Sequence, residues 1–227
     1  MNNLIITCNA GSSNTKLAAF DTKTLERKGH STAHNAAEAD EWLCSIGSLG
    51  AVSAIGHRVV HGGRDFIQPT HITPDVLDKL KGYIPLAPLH QPAAIKLIEE
   101  TQKLYPDVSH IACFDTAFHH TMPDIYRQFA LPQRFYDEGV MRYGFHGLSY
   151  QHIADVMPEE LHDKRVIVAH LGGGGIGLRY AQASKRCQHH GLFHAGWADD
   201  GHALRRNRSR CVALFIAGKE HDHAGTQ

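Results

Sequence analysis

The residues best suited to chemistry fall in short motifs, most of them flanked by glycine. Asn9-x-Gly11-Ser12-Ser13-x-x-Lys16 joins a Gly/Ser turn, whose N–H groups can cradle a phosphate, to a lysine point charge. A plain hairpin turn with a surface lysine uses the same residues. Gly56-His57-Arg58-Val59-Val60-His61-Gly62-Gly63 sets an arginine at a strand end, where its fork can grip a carboxylate or phosphate. A solvated arginine is the competing reading. Pro85-Leu86-Ala87-Pro88-Leu89-His90-Gln91-Pro92 is a stiff loop that delivers His90 to a helix start, as an active-site group or as packing. Phe114-Asp115-Thr116-Ala117-Phe118-His119 places Asp115 at the C-terminal end of a strand, where open α/β sheets bind ligands. There it can accept a proton, orient a neighbour or cap the next segment. Arg142-Tyr143-Gly144-Phe145-His146-Gly147 brackets Phe145 and His146 with glycines, which admit a ligand or make a tight turn. His170-Leu171-Gly172-Gly173-Gly174 follows a strand and suits a phosphate. Its overlap with Gly172-x-Gly174-x-x-Gly177 fits a dinucleotide pattern, the weaker alternative, because no helix is expected to follow. Cys187-x-His189-His190-x-x-x-His194 has zinc-ligand residue types but lies in a histidine-rich stretch where such spacings arise by chance.

These groups need a scaffold. Residues 4–8 read as a buried strand and residues 16–20 as its hairpin partner. A helix is expected over 36–46 and a buried strand over 51–60. Thr73-Pro74-Asp75 is a helix start: an N-cap, a proline at the first position and an acid at the positive end. Val76, Leu77 and Leu80 give that helix its apolar face. Pro92 opens the next helix, with Ala94, Leu97, Ile98, Thr101 and Tyr105 on one stripe. Residues 109–114 and 165–170 read as strands, and Ser149 as the cap of a helix reaching Met157. The mixture is α/β. Beyond Gly175 no strand or helix period is evident except over 211–217.

The chain has 227 residues and equal Lys+Arg and Asp+Glu counts of 23, which argues against a partner bound by bulk charge, such as nucleic acid or a membrane surface. The start, Met-Asn-Asn, lacks the basic and apolar regions of a signal peptide, and no apolar run spans a bilayer. Cys8, Cys44, Cys113, Cys187 and Cys211 are scattered and odd in number, which fits a reducing cytoplasm.

Taken in order, NAGSS-x-x-K, GHRVVHGG, APLH-x-P, FDTAFH-x-TMP, RYGFHG and HLG-x-G resemble the acetate kinase family over residues 4–174. The resemblance implies the actin-like ATPase (ribonuclease H-like) fold shared with sugar kinases and Hsp70-type proteins, with two α/β domains closing over ATP. It implies reversible, Mg²⁺-dependent transfer of a phosphoryl group from ATP to acetate, giving acetyl phosphate and ADP, and a homodimer. By the same resemblance, Asn9 is associated with the metal. Lys16, Ser12, His170, Gly172 and Gly174 bind ATP. Arg58, His90 and Phe145 hold the substrate. Asp115, His146 and Arg58 are catalytic. The implied division is an N-terminal domain over 1–119, the start of a second over 120–175, and a tail over 176–227 outside the family pattern.

Gly173 stands where the family usually has Asn, and Asn14, Gln91, Leu148 and Tyr150 replace commoner Ser, Asn, Thr and His. After Gly174 the family's adenosine pocket, second arginine and metal-binding acid are not recognisable. An inactive fragment of the enzyme is therefore an alternative to a working kinase. The tail reads instead as an out-of-frame translation. Codons for residues 175–180, read one nucleotide later, can give Ala-Ser-Val-Cys-Ala, which continues the glycine motif as the family does. Those for 199–211 can give Thr-Met-Gly-Thr-Arg-Cys-Gly-Ala-Thr-Asp-Pro-Gly. A divergent metal-binding tail is the alternative.

Overall fold

Alternating burial along the first strand sets up the sheet. β1 (Asn3–Ala10) buries Leu4, Ile6, Cys8 and Ala10 on one face. The chain turns at Gly11, whose N–H meets the Asn14 carbonyl at 2.9 Å, into antiparallel β2 (Thr15–Asp21), with Asn9 opposite Lys16. β3 (Arg27–Ala33) completes the meander. The computed structural model of the protein describes residues 3–11, 14–162, 164–171, 175–181, 187–189 and 212–216.

α1 (Ala36–Ile46) starts at a side-chain cap: Asn35 Oδ1 accepts the Glu38 N–H at 2.9 Å, and Glu38 Oε2 reaches back to accept the His34 N–H at 2.7 Å. The chain returns as β4 (Ala51–Val59), parallel to β1. After the two-residue β5 (Thr70–His71) comes α2 (Pro74–Gly82), with Thr73 Oγ1 accepting the Val76 N–H at 3.3 Å. α3 (Gln91–Leu104) leads to β6 (Ser109–Phe114), parallel to β4. The sheet order is β3-β2-β1-β4-β6-β5. Leu43 and Ile46 of α1 and Ala94 and Leu97 of α3 close a core over Leu4, Ile6, Leu17 and Ile55. A second cluster joins Leu80, Ile95 and Ile98 to Val59, Phe66 and Phe114.

Contacts divide the chain into two units: Met1–His120 with Phe145–Leu148, and Thr121–Gly144 with Ser149–Gln227. The second holds the short helices α4 (Asp124–Arg127) and α5 (Gln133–Asp137) and an antiparallel sheet. Its strands are β7 (Arg165–Leu171), β8 (Gly175–Ala181), β9 (Cys187–His189) and β10 (Val212–Ile216), in the order β10-β7-β8-β9. Two sequence expectations are corrected here. β8 and β9 lie where no period was expected; Ile176, Leu178 and Tyr180 alternate with Gly177 and Arg179, a strand pattern in a short run. α6 (Gly147–Asp155) begins before Ser149 and ends before Met157. The Gly147 N–H already bonds the Asp115 carbonyl at 2.9 Å, so the helix start needs no cap from Ser149.

Beneath the parallel strands, His57 and His110 stack at 5.3 Å, both nearly inaccessible. His110 Nε2 lies 3.1 Å from the Tyr105 carbonyl, which can only accept. That nitrogen therefore carries the proton, His110 Nδ1 accepts, and His57 Nε2 donates to it across 3.1 Å. Both rings are held neutral. Burial pushes His57 down to about 3, helped by the neighbouring His110, and burial also lowers His110. Nearby Cys8 is pushed up to about 12 by burial and stays a thiol. The folded pKa of His57 lies below its ordinary value of 6.5, so between these values the unfolded chain binds more protons. Stability should be full above pH 6.5 and decline as pH falls toward 3. Thermal midpoints measured from neutral pH downward check this; a midpoint independent of pH across that window would contradict it.

Candidate functional site

Three parallel strands end side by side, and each delivers one polar side chain. The register pairs Asn9 with Arg58 and Arg58 with Cys113, two residues before Asp115. The Asp115 N–H bonds the Val59 carbonyl at 3.0 Å, fixing the exit of β6 against that of β4. Arg58 Nη1 donates to Asn9 Oδ1 at 3.0 Å, and Nε and Nη2 donate to Asp115 Oδ2 at 3.1 and 2.5 Å. The Asp115 side chain is 2% exposed and that of Arg58 22%. A carboxylate this buried is stable only when paired. The pairing in turn locks the fork of a guanidinium that still meets solvent. Arginine has five N–H donors, so with these bonds made it retains donors for an incoming anion.

The loop after β4 is tied down by a close approach. The Gly62 N–H donates to Thr116 Oγ1 at 3.0 Å, beside Asp115, and the Gly63 N–H donates to His61 Nδ1 at 2.9 Å. His61 is buried, and burial pushes its pKa down to about 4, which keeps that nitrogen free to accept. Gly63 has φ +62°, and a Cβ there would stand 2.3 Å from the Tyr83 ring. Gly63→Ala should lower folding stability by at least about 1–2 kcal/mol. Chemical denaturation checks this, and a variant as stable as the parent would contradict it.

A later segment reaches the same strand ends. Gly147 sits so close to the Asp115 carbonyl that a Cβ would lie 2.2 Å from it. His119 Nε2 lies 2.9 Å from the Phe145 carbonyl and donates to it. Between these anchors His146 takes φ +56°, a conformation non-glycine residues hold only where the surroundings impose it. The Phe145 ring meets His61 edge-on at 5.7 Å.

The structure thus brings Asn9, Arg58 and Asp115 into direct contact and fastens the Phe145–His146 segment to Asp115. Lys16 is exposed and faces Asn9 across the hairpin. His90 precedes α3, with its N–H on the Ala87 carbonyl; among the described residues no hydrogen bond joins it to Arg58 or Asp115. His170 lies in the second unit, edge-on to Tyr150 at 6.3 Å. Ser12, Gly172 and Gly174 lie outside the described residues, as do His190 and His194. A strand, β8, contains Gly177, so the dinucleotide pattern lacks the helix N-terminus it requires. Sequence reasoning passed over His61, Gln91, Thr116 and His119. All lie within or beside the motifs, but nothing in their spacing marks them as holding loops rather than ligands.

Known proteins give this arrangement a context. The signature of the acetokinase family matches residues 41–178. An acetate kinase of Rhodopseudomonas palustris is 46% identical over 159 residues, covering 68% of this chain and 39% of its own. One of Rickettsia typhi is 38% identical, covering 77% and 54%. A propionate kinase structure from Francisella tularensis superposes with a TM-score of 0.71 at 31% identity, over 80% of this chain and 55% of its own. The Porphyromonas gingivalis acetate kinase structure does so with 0.66 at 29%, covering 80% and 55%. The chain therefore spans between about a third and just over half of the length of the relatives it matches. These neighbours share the actin-like ATPase fold, and the chain belongs to the acetokinase family.

Proposed function

We propose that this chain supplies the acceptor side of a phosphotransferase that moves the γ-phosphoryl group of ATP to acetate or a similarly short carboxylate. The observation that carries the reading is the Arg58 fork, fixed by Asp115 and Asn9 at the ends of three parallel strands with donors to spare. A carboxylate oxygen attacks the γ-phosphorus, the bond to the ADP oxygen breaks, and ADP leaves. Acetate is already ionised at neutral pH, so no strong base is needed. The protein's contribution is to position the reactants and neutralise charge on the transferring group.

In this reading Arg58 binds the substrate and the transferring phosphoryl group, and Asp115 holds its fork. His146 donates to the charge that develops, Phe145 forms an apolar wall for the acetate methyl, and His90 lines the approach. Lys16, Ser12, His170, Gly172 and Gly174 hold the nucleotide phosphates. The residues from 1 to 119 form the first domain and those from 120 to 175 begin the second. Magnesium prefers hard oxygen ligands, keeps several waters and takes only one or two protein groups alongside substrate phosphates. Among the described residues no cluster of three His, Cys, Asp or Glu forms a metal cage. Asn9, whose amide oxygen is a hard donor, is the residue this reading assigns to such a lightly held ion. When bound, the ion would neutralise charge on the β- and γ-phosphates. The balanced charge of the chain supports small-molecule rather than nucleic-acid partners, and its scattered, odd-numbered cysteines a reducing cytoplasm; the family resemblance supports a homodimer.

The test is carboxylate-dependent ADP release by the enzyme with its second half present, comparing acetate, propionate and butyrate. Release that rises with one of the shorter acids supports the reading, and release indifferent to carboxylate sinks it.

A further inference from the structure

We propose that Gln91 is a positioning residue of the carboxylate site: its carboxamide fixes the backbone at His61 and so sets where the His61 ring holds Phe145 relative to Arg58. Gln91 is fully buried. Its Oε1 accepts the His61 N–H at 3.3 Å, while Nε2 donates to the His61 carbonyl at 3.1 Å and to the Leu80 carbonyl at 3.3 Å. One side chain thus satisfies both backbone groups of His61, as a neighbouring strand would, and also ties that residue to the last turn of α2. β4 has already ended at Val59, so no ladder does this for His61.

The consequences run outward from that clamp. With its backbone fixed, His61 turns Nδ1 to the Gly63 N–H and its ring to the edge of Phe145. Thr116 Oγ1 accepts the Gly62 N–H. The loop that leaves the Arg58 strand is therefore gripped by the residue after Asp115 and by the residue after His90. Among the described residues Gln91 makes no hydrogen bond to Arg58, Asp115 or Phe145, so it acts through His61. The chemistry explains why the position needs a carboxamide: one group must both donate and accept, and a buried backbone pair without partners is costly.

The structural half of this inference stands by itself; only its effect on binding rests on the phosphotransfer reading. The test is NMR on the full chain, well below its thermal midpoint. In the wild type the Gln91 Nε2 protons should exchange at least about tenfold more slowly than those of a free carboxamide; fast exchange there overturns the proposal without any variant. In Gln91→Leu, which removes the carboxamide, the amides of His61, Gly62 and Gly63 should exchange about tenfold faster, and in the shorter Gln91→Asn, which keeps it, by less, while those of Ile6 and Ala19 stay as in the wild type in both. In Gln91→Leu acetate, followed by the shift of the Arg58 Nε–H signal, should bind about tenfold more weakly. Exchange unchanged at 61–63, or accelerated equally throughout the chain, overturns the proposal. So does faster exchange at 61–63 with unaltered acetate affinity. If the wild type binds no acetate, the carboxylate reading fails, and the exchange pattern alone decides the role of Gln91.

Discussion

Arg58→Ala in the full-length phosphotransferase should lower kcat by at least about a hundredfold, the scale of losing a donor aimed at transition-state charge. Two separate losses contribute. The spare N–H groups of Arg58 disappear from the site, and Asp115, 2% exposed, is left as a buried carboxylate without its partner. The second loss also acts on folding, because breaking a buried pair on one side costs about 3–5 kcal/mol. Arg58→Lys separates the two: it keeps a charge near Asp115 but loses the planar fork. It should be better folded than Arg58→Ala and still slow. His146→Ala should also cost about a hundredfold, with less effect on folding, since the partly exposed His146 lies outside the ion pair. Steady-state kinetics at saturating ATP and carboxylate read these effects. Near-normal kcat in both alanine variants would remove the two residues from the mechanism.

A second large effect is a gain. A polypeptide of these 227 residues should form no acetyl phosphate above background, whereas deleting one base within the codons for Gly172 to Gly175 should yield a longer protein that does. We propose that the segment after Gly174 is read out of frame. The shifted codons can spell two stretches of the family pattern, in one frame and in family order. Degeneracy could supply one short match; two in order are hard to obtain by chance. Four consecutive glycines imply a G-rich run in the gene, where a base is readily gained. Resequencing that run decides the matter. A confirmed sequence whose shifted frame soon meets stop codons would end the idea.

Much of this was legible in residue types. Asn9, Arg58 and Asp115 are far apart in sequence, yet each sits at the end of an apolar run that reads as a strand, and the three strands proved parallel and adjacent. Thr73-Pro74-Asp75 marked its helix because cap, proline and acid act locally. The rest depended on tertiary contacts. The start of α6 is set by the Asp115 carbonyl, distant in sequence, so Ser149 misled. The clamp of Gln91 on His61 joins two loops whose meeting no local period reports. β8 was missed because three alternating apolar residues among glycines give too short a signal.

The central claim is that the Arg58 site passes a phosphoryl group to a short carboxylate. Its most direct measurement is acetyl phosphate trapped as the hydroxamate, using the frame-restored protein with ATP, Mg²⁺ and acetate. The account predicts product at an ordinary enzyme rate of about ten per second, none without acetate, and about a hundredfold less with Arg58→Ala. ATP cleaved equally with and without acetate, with no hydroxamate formed, would contradict it.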